Sequence, residues 1–214
     1  MSGRFITFEG GEGAGKSTQI RRLAERLQGM GESVVVTREP GGTPTAESIR
    51  ALLLSGAGEQ LGPDGEAVLF AAARADHVEH VIRPALRAGK WVLCDRFADS
   101  TRVYQGVGGG ADAMILEALE RVAVGRTQPD LTLILDVPVK IGLARAAARA
   151  GGAAPPDRFE RDDLEVHEAR RQAFLAIGTT EPDRCVVIDA SKSEAATAEA
   201  VWKAVSARLI NRAA

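Results

Sequence analysis

Eight residues near the start of the chain have the types and spacing that bind a phosphate group. Residues 10–17 read GGEGAGKS and satisfy the pattern G-x-x-x-x-G-K-[ST] in full. Glycines let successive backbone N–H groups point at an anion, while Lys16 suits terminal phosphates and Ser17 suits Mg²⁺. The pattern requires a strand before it and a helix after it, and the flanking sequence predicts both. We therefore expect a phosphate-binding loop (P-loop) for ATP, with these contacts: Gly10, Gly11, Glu12, Gly13, Ala14, Gly15, Lys16, Ser17 and Thr18.

A second anion site is indicated after the apolar run at 91–94 (WVLC), where Asp95 and Arg96 are adjacent. A carboxylate at the carboxyl end of a parallel strand lies beside the phosphate crevice, where it can hold Mg²⁺ directly or through water. The planar fork of Arg96 suits phosphate oxygens. We predict Ser17 and Asp95 as metal ligands; a plain Asp–Arg ion pair at a strand end is the alternative.

Three further segments carry groups that could bind an organic acceptor. Residues 37–43 (TREPGGT) predict a rigid corner that backbone can bring close to a ligand. Phe70 and Arg74 are four residues apart on one helical face, and offer a ring for stacking and fixed hydrogen-bond donors. Residues 100–106 (STRVYQG) add hydroxyls, an aromatic ring and an amide. The alternatives are a plain turn, a core phenylalanine and a solvated arginine.

Four arginines surround a Gly/Pro-rich stretch late in the chain. Arg145 and Arg149 precede residues 150–156 (AGGAAPP), and Arg158 and Arg161 follow them. Arginines on a closing flap can stabilise charge on a transferring phosphoryl group and exclude water. We expect a lid insertion over about 145–161; a solvent-facing arginine stripe is the alternative.

The elements that must position these groups alternate along the chain. Continuous apolar runs predict strands that are covered on both faces, as in a parallel sheet, at 4–9, 33–37, 91–95, 131–136 and 185–189. Helical spacing predicts helices at 16–30, 44–54, 64–88, 112–124, 138–150, 160–177 and 193–210. Pro84 should bend the helix at 64–88 or end its regular part. The alternation predicts an α/β fold: a doubly wound, five-stranded parallel sheet flanked by helices.

Composition limits the function classes. The 214 residues, 45% hydrophobic and 26% charged, fit one globular domain over 1–214. A net charge of −2 does not favour nucleic acid or anionic lipid, and neither a membrane span nor a secretory signal is expected. Cys94 and Cys185 lie in apolar runs and predict buried thiols of a reduced compartment. The three histidines form no arrangement that predicts a metal site.

Taken in order along nearly the whole chain, these motifs resemble the thymidylate kinase family, a group of P-loop nucleoside-monophosphate kinases. The most specific segments are TREPGGT at 37–43, DRF at 95–97 and YQG at 104–106. The resemblance implies phosphorylation of dTMP to dTDP with ATP and Mg²⁺, a cytoplasmic homodimer, and no nucleic acid or membrane partner. It implies dTMP contacts from Glu39, Pro40, Leu53, Phe70, Arg74, Arg96, Ser100, Thr101, Tyr104 and Gln105.

The same resemblance implies individual roles. Phe70 stacks on thymine, Arg74 hydrogen-bonds a carbonyl of the base, and Tyr104 crowds the position of a ribose 2′-hydroxyl. Lys16, Glu12, Arg96 and Arg149 are implied as catalytic residues, with Arg145 also placed near ATP. The P-loop has Gly13 and no arginine, which is similar to the bacterial type with its catalytic arginine on the lid; Arg149 is the first candidate, and Arg145 or Arg158 the alternatives.

Two other functions remain open from the residues. One is a different small P-loop kinase, which acts on dUMP, a deoxynucleoside or a non-nucleotide acceptor. The other is an ATP-binding regulatory module without turnover. A signalling GTPase is disfavoured because the sequence has no N-K-x-D segment to read guanine.

Overall fold

One parallel sheet organises the described chain, which in the computed structural model comprises residues 3–150, 159 and 162–211. Its strands are β1 (Arg4–Glu9), β2 (Val34–Arg38), β3 (Trp91–Asp95), β4 (Leu131–Asp136) and β5 (Cys185–Asp189). They lie in the order β2-β3-β1-β4-β5, and every neighbouring pair is parallel. The predicted fold class is confirmed, with β2 beginning and ending one residue later than expected.

Helices connect the strands and cover both faces of the sheet. They are α1 (Lys16–Gly29), α2 (Pro44–Leu54), α3 (Gly62–His77), α4 (Arg83–Arg87), α5 (Ala98–Thr101), α6 (Ala113–Ala123), α7 (Val139–Ala150), α8 (Leu164–Thr180) and α9 (Glu194–Val205). Local chemistry explains several starts. The Thr43 hydroxyl accepts the Ala46 N–H at the start of α2, and Pro44 occupies the first helical turn, where its missing N–H costs nothing.

The core divides between the two faces because successive strand residues point in opposite directions. On one face, Ile6 and Phe8 of β1 pack with Leu93 and with α1 and α9. On the other, Phe5 packs edge-on against Phe97, with ring centroids 5.0 Å apart. Strands β1, β3 and β4 are buried on both faces over most of their length, as the continuous apolar runs predicted, but the edge strands β2 and β5 are not: Val36 and Val187 are 55% and 41% exposed. The parallel order places the carboxyl ends of β1, β2 and β3 at one edge of the sheet.

The helix expected over 64–88 differs from the observed one. It begins at Gly62 and its regular part ends at His77, and a wider π-helical turn over Val78–Ile82 leads into α4. Pro84 lies in the first turn of α4, and because proline has no N–H, the helix cannot keep its regular hydrogen bonds there. The chain nevertheless continues as helix past Pro84 to Arg87.

Other helix boundaries also differ from the sequence-based ones. α8 begins four residues later than the predicted 160, and a π-helical turn over Ser206–Ile210 follows α9. Three short elements were not predicted: α5, a π-helical turn over Arg102–Val107, and a 3₁₀ turn over Ala57–Leu61. Each is too short for a periodic apolar pattern to reveal it.

Much of the expected lid lies outside the described residues. Its first six residues, 145–150, form the end of α7, and Phe159 is described; Arg158, Arg161 and the remaining masked positions are not. Within the described ranges, no helix is both long enough and apolar enough to cross a membrane.

Candidate active site

A cleft of about 280 Å³ opens at the carboxyl edge of the sheet, between the P-loop and helices α2, α3 and α5. Most of the residues predicted from sequence line it: Glu12, Gly13, Ala14, Gly15, Lys16, Ser17, Glu39, Pro40, Phe70, Arg74, Asp95, Arg96, Ser100, Thr101, Tyr104, Gln105 and Arg149. Segments that are up to 137 positions apart in sequence therefore meet at one place. The parallel topology produces this meeting, since every strand ends at the same edge.

The P-loop wraps tightly because its glycines adopt backbone angles that side chains disfavour. Gly10 and Gly13 have φ of 131° and 65°. A Cβ added at Gly13 would lie 1.8 Å from the carbonyl oxygen of Gly142 in α7, so no side chain fits there. The ammonium of Lys16 donates to the carbonyls of Gly10 and Gly11, at 3.1 and 3.0 Å. The lysine thus already lies over the concave face of the loop.

Ser17 and Asp95 supply neighbouring oxygens at the mouth of the P-loop. The Ser17 hydroxyl donates to Asp95 Oδ2 at 2.8 Å. One hydroxyl and one carboxylate suit Mg²⁺, which keeps several waters and takes the rest of its ligands from substrate phosphates. Among the residues the structure describes, no group of three His, Cys, Asp or Glu side chains could hold a metal without such phosphates.

Arg96 lies between the P-loop and the far wall of the cleft. Its φ of 68° places it in the left-handed region, a strain on the order of 1–3 kcal/mol that side-chain contacts must offset. The guanidinium donates to Glu12 Oε1 at 2.5 Å and to the Gly10 carbonyl at 3.2 Å. It also lies 4.9 Å from the centre of the Tyr104 ring. Arg96 therefore faces the point where two anions would meet.

Glu12 is held as a carboxylate. Burial by itself disfavours its charge, but the positive charges of Arg96 and then Lys16 outweigh burial and lower the pKa of Glu12 to about 2. The Tyr104 hydroxyl also donates to Glu12 Oε1, at 2.9 Å. Burial, followed by the charge of Arg96, lowers the pKa of Lys16. Bringing two cations together in a partly dry cleft favours the binding of a polyanion.

A buried carboxyl group supports the strained turn at Arg96 from below. Glu9 is completely buried; Oε1 accepts the Phe97 N–H at 2.7 Å and Oε2 accepts the Ser100 hydroxyl at 2.6 Å. Arg96 in turn donates to the Ser100 oxygen at 3.2 Å. Burial, together with the negative charge of Asp99, raises the pKa of Glu9 to about 8. Glu9 thus fixes Phe97 and Ser100, the two residues beside Arg96.

The opposite side of the cleft is the acceptor wall, formed by Phe70, Arg74, Thr101, Tyr104 and Gln105. Arg74 is only 4% exposed and is held at two of its three nitrogens. Nε donates to Glu39 Oε2 at 2.7 Å, and Nη2 donates to the Phe97 carbonyl and the Thr101 hydroxyl at 3.1 and 2.9 Å. Within the described part of the chain, Nη1 has no such partner, so it remains for a ligand in the cleft.

Aromatic rings complete the acceptor wall. Phe159, from the segment between α7 and α8, packs edge-on against Tyr104 with centroids 5.6 Å apart and lies 6.5 Å from the Phe70 ring. The guanidinium of Arg170 in α8 lies 4.5 Å from the centre of the Tyr104 ring. The Gln105 amide donates to Glu66 Oε2 at 3.0 Å, which fixes its orientation. The wall therefore combines flat apolar surface with fixed polar groups.

Five sequence-predicted residues do not line this cleft. Leu53 is completely buried, and its neighbour Leu54 lines the cleft instead, because one residue turns a helix by about 100°. Leu54 is thus the leucine of this pair that faces the cleft. Gly10 and Gly11 border a smaller cavity behind the P-loop. Thr18 follows in α1, and Arg145 donates to the carbonyls of Ala190, Ser191 and Lys192, after β5.

Sequence reasoning missed other residues at or beneath the site. Arg38, Arg50, Leu54 and Phe159 line the cleft, while Glu9, Glu66, His77 and Arg170 contact the residues that line it. Two of them gave a signal: Arg38 belongs to the TREPGGT segment, and Glu9 is an acidic residue inside an otherwise apolar run. The others are ordinary helix or loop residues whose importance comes from tertiary contact.

Comparison with known proteins agrees with this geometry. The family model described as Thymidylate kinase matches residues 8–201. The chain is 61% identical to the thymidylate kinase of Nitrobacter winogradskyi over 97% of this chain and 90% of that protein, and 59% identical to that of Bradyrhizobium sp. (strain ORS 278) over 99% and 93%.

A solved structure supports the same conclusion. The crystal structure of thymidylate kinase from Ehrlichia chaffeensis superposes with a TM-score of 0.77 and 35% sequence identity, covering 96% of this chain and all of that one. A family model, near-complete relatives and a solved fold agree with a site built from the residues upward. The chain therefore belongs to the thymidylate kinase family.

Proposed function

We propose that the chain transfers the γ-phosphoryl group of ATP to dTMP, giving ADP and dTDP by in-line displacement, and so supplies dTTP for DNA synthesis. The observation that carries the proposal is the position of Arg96. It joins a P-loop that suits ATP to an acceptor wall that suits a nucleobase, within one cleft. Catalysis of phosphoryl transfer is mainly positioning and charge stabilisation, which this arrangement supplies.

In the donor half, the P-loop amides and Lys16 bind the ATP phosphates. The Lys16 ammonium exchanges its contacts with the Gly10 and Gly11 carbonyls for phosphate oxygens. Ser17 and Asp95 would hold Mg²⁺, which would supply positive charge to offset that of the phosphates. Arg145, beside the loop after β5, contributes to the ATP site from the other side.

In the acceptor half, Phe70 stacks on thymine and Nη1 of Arg74 donates to a carbonyl of the base. Thr101 and Gln105 lie at the base edge, Tyr104 packs against the deoxyribose, and contacts from Glu39, Pro40, Leu54 and Ser100 complete the pocket. The support is geometric: Arg74 is fixed at Nε and Nη2, so its remaining donor has one direction. A fixed N–H donor favours a base with a carbonyl oxygen at that position, which can accept its hydrogen bond, over a base with an amino group there.

At the transfer point, Arg96 contacts the phosphates and Glu12 orients Arg96 and Tyr104 through one carboxylate oxygen. Arg149, at the end of α7, lines the same cleft and supplies a second positive charge to the transferring group. A lid over about 145–161 excludes water, so that the phosphoryl group passes to dTMP. Arg145 and Arg158 are the alternatives for the role of Arg149.

We also propose that the chain acts as a homodimer in the cytoplasm, without nucleic acid or membrane partners. Helices α3 and α6 pack together, and exposed apolar side chains lie on them: Val68, Met114, Ile115 and Val122, at 48, 79, 37 and 81% exposure. Such side chains favour burial against a second copy. Cys94 and Cys185 are buried and free, which suits the reduced cytoplasm.

A panel of acceptors tests the proposal. ADP release is measured with Mg-ATP and dTMP, dUMP, UMP, dCMP, AMP, thymidine or shikimate. We expect strong release with dTMP, weaker release with dUMP, and release near background with the rest. A stronger response to another acceptor would assign a different small kinase. ATP binding without acceptor-dependent ADP release would indicate a regulatory module.

A further inference from the structure

A buried chain of hydrogen bonds lies behind the acceptor wall and ends at Arg74. The Thr37 hydroxyl lies 2.7 Å from His77 Nε2, and His77 Nδ1 lies 3.0 Å from Glu39 Oε1. The other oxygen of Glu39 accepts Arg74 Nε at 2.7 Å. Glu39 pairs with the Arg74 guanidinium as an acceptor, so Nδ1 of His77 donates to it, while Nε2 shares a hydrogen bond with the Thr37 hydroxyl. The chain of hydrogen bonds therefore runs without a break from β2 to the cleft.

Burial makes each link in this chain costly to lose. His77 is completely buried, and the Glu39 and Arg74 side chains are 3% and 4% exposed. A buried carboxylate oxygen without a partner would cost more than its hydrogen bond contributes when formed. Each oxygen of Glu39 already accepts a hydrogen bond from a protein group, so Glu39 also acts on a ligand indirectly, through Arg74.

The loop after β2 closes directly over the same histidine. Gly42 has a φ of 91°, and a Cβ added there would lie 2.6 Å from His77 Cδ2 and 2.8 Å from Thr37 Oγ1. Only a residue without a side chain lets the backbone cover this hydrogen bond. The second glycine of TREPGGT is thus explained by the histidine rather than by the ligand.

We propose that His77 is a positioning residue for base recognition, which holds Glu39 so that Nη1 of Arg74 points at the 4-carbonyl of thymine. The inference rests on the proposed dTMP kinase function and extends it to a residue on the buried face of α3. His77 touches neither substrate. It acts by keeping Glu39 in the one position from which it can hold Arg74 at Nε, while Phe97 and Thr101 hold Nη2.

The test compares variants of two histidines on adjacent helical turns. His77→Phe replaces the imidazole by a phenyl ring and so removes both hydrogen bonds. His77→Asn restores a donor to Glu39 near the position of Nδ1. His80→Phe is the matched control, since the His80 side chain is 65% exposed and contacts Asp76, outside the cleft. Steady-state kinetics are measured for dTMP, for ATP and for 5-methyl-dCMP, which differs from dTMP only where an amino group replaces the 4-carbonyl and at the adjacent N3.

We expect His77→Phe to raise the KM for dTMP about tenfold or more, with the KM for ATP unchanged within about twofold. The preference for dTMP over 5-methyl-dCMP in kcat/KM should fall by a similar factor. His77→Asn should recover most of both losses, and His80→Phe should behave as wild type. A merely structural histidine would lower kcat alike for both nucleotides and leave the preference intact.

Thr37→Val keeps the test decisive if His77→Phe does not fold. It removes only the hydroxyl that contacts Nε2, so the same changes should appear at smaller size, about threefold. An unchanged preference in every folded variant would overturn the inference. Wild-type protein that does not phosphorylate dTMP at all would instead contradict the proposed function. Failure of the His77 inference can therefore be distinguished from failure of the proposed function.

Discussion

Arg96 and Glu12, which are 84 residues apart in sequence, form an ion pair of 2.5 Å across the floor of the cleft. Each follows a different central strand, Glu12 in the loop after β1 and Arg96 directly after β3. The pair therefore ties the ATP-binding loop to the segment that leads into the acceptor wall. The same Glu12 oxygen also accepts the Tyr104 hydroxyl, so the P-loop, Arg96 and the acceptor wall are joined through one atom.

Lys16 is the first residue whose removal should stop the reaction. Lys16→Ala should lower kcat by more than about 100-fold, because no other group places a cation on the terminal phosphates from within the loop. Circular dichroism and thermal unfolding should show that the fold is retained. Lys90→Ala, at an exposed position before β3, is the control and should leave turnover unchanged. Substantial residual activity in Lys16→Ala would contradict the P-loop assignment.

Arg149 should contribute to the chemical step rather than to binding. If it stabilises the transferring phosphoryl group, Arg149→Ala should lower kcat by about 10³-fold or more. Arg121→Ala, an exposed arginine on α6, is the control. Rapid-quench kinetics with saturating ATP and dTMP provide the measurement. An increase in KM alone would move the role to Arg145 or Arg158.

Tyr104 should select deoxyribose through its ring. Tyr104→Phe keeps the ring between Arg96 and Arg170 but removes the hydroxyl that donates to Glu12. Because Glu12 retains its ion pair with Arg96, turnover of dTMP should stay within about tenfold of wild type. The preference for dTMP over its ribose counterpart should also persist. A larger loss would assign the selection to the hydroxyl.

Glu9 should make stability depend on pH. Its pKa is about 8 in the folded state against 4.5 for an unperturbed glutamate, so the unfolded state releases this proton first as pH rises. The free energy of unfolding contributed by Glu9 therefore falls between about pH 4.5 and 8, on the order of a few kcal/mol in total. Glu9→Gln removes this dependence, because the amide cannot ionise.

Urea unfolding of wild type and Glu9→Gln at pH 5, 6, 7 and 8 measures the effect. The stability of Glu9→Gln relative to wild type should increase steadily over that range. Glu12→Gln is the matched control: since the pKa of Glu12 is about 2, its stability difference from wild type should stay constant. A constant difference for Glu9→Gln as well would show that Glu9 is ionised throughout.

The sequence predicted the sheet well because the strands have an unambiguous physical signature. Runs such as 131–136 (LTLILD) are largely apolar without alternation, and a central parallel strand is buried on both faces. The P-loop was equally clear, since its backbone conformation requires glycine at Gly10, Gly13 and Gly15. In both cases the constraint is local, so the residues carry it themselves.

What the sequence did not reveal depends on tertiary contact. Leu53 and Leu54 are both leucines at the end of α2, and only the packing of the helix decides which one faces the cleft. His77 matched a buried or solvated histidine equally well until Thr37 and Glu39 were placed beside it. Phe159 belongs to a Gly/Pro-rich region without periodicity, so nothing indicated that its ring would reach Tyr104.

Direct phosphoryl transfer from ATP to dTMP can be followed in a single turnover. The protein is in excess over γ-³²P-labelled ATP, with Mg²⁺ and a saturating concentration of dTMP present, and the labelled products are then separated. We expect the label to pass from ATP to dTDP, with little orthophosphate, because Arg96 and the P-loop place dTMP in line with the γ-phosphate and the closed cleft excludes water. Label that appears chiefly as orthophosphate, or that remains in ATP although dTMP is bound, would contradict this mechanism.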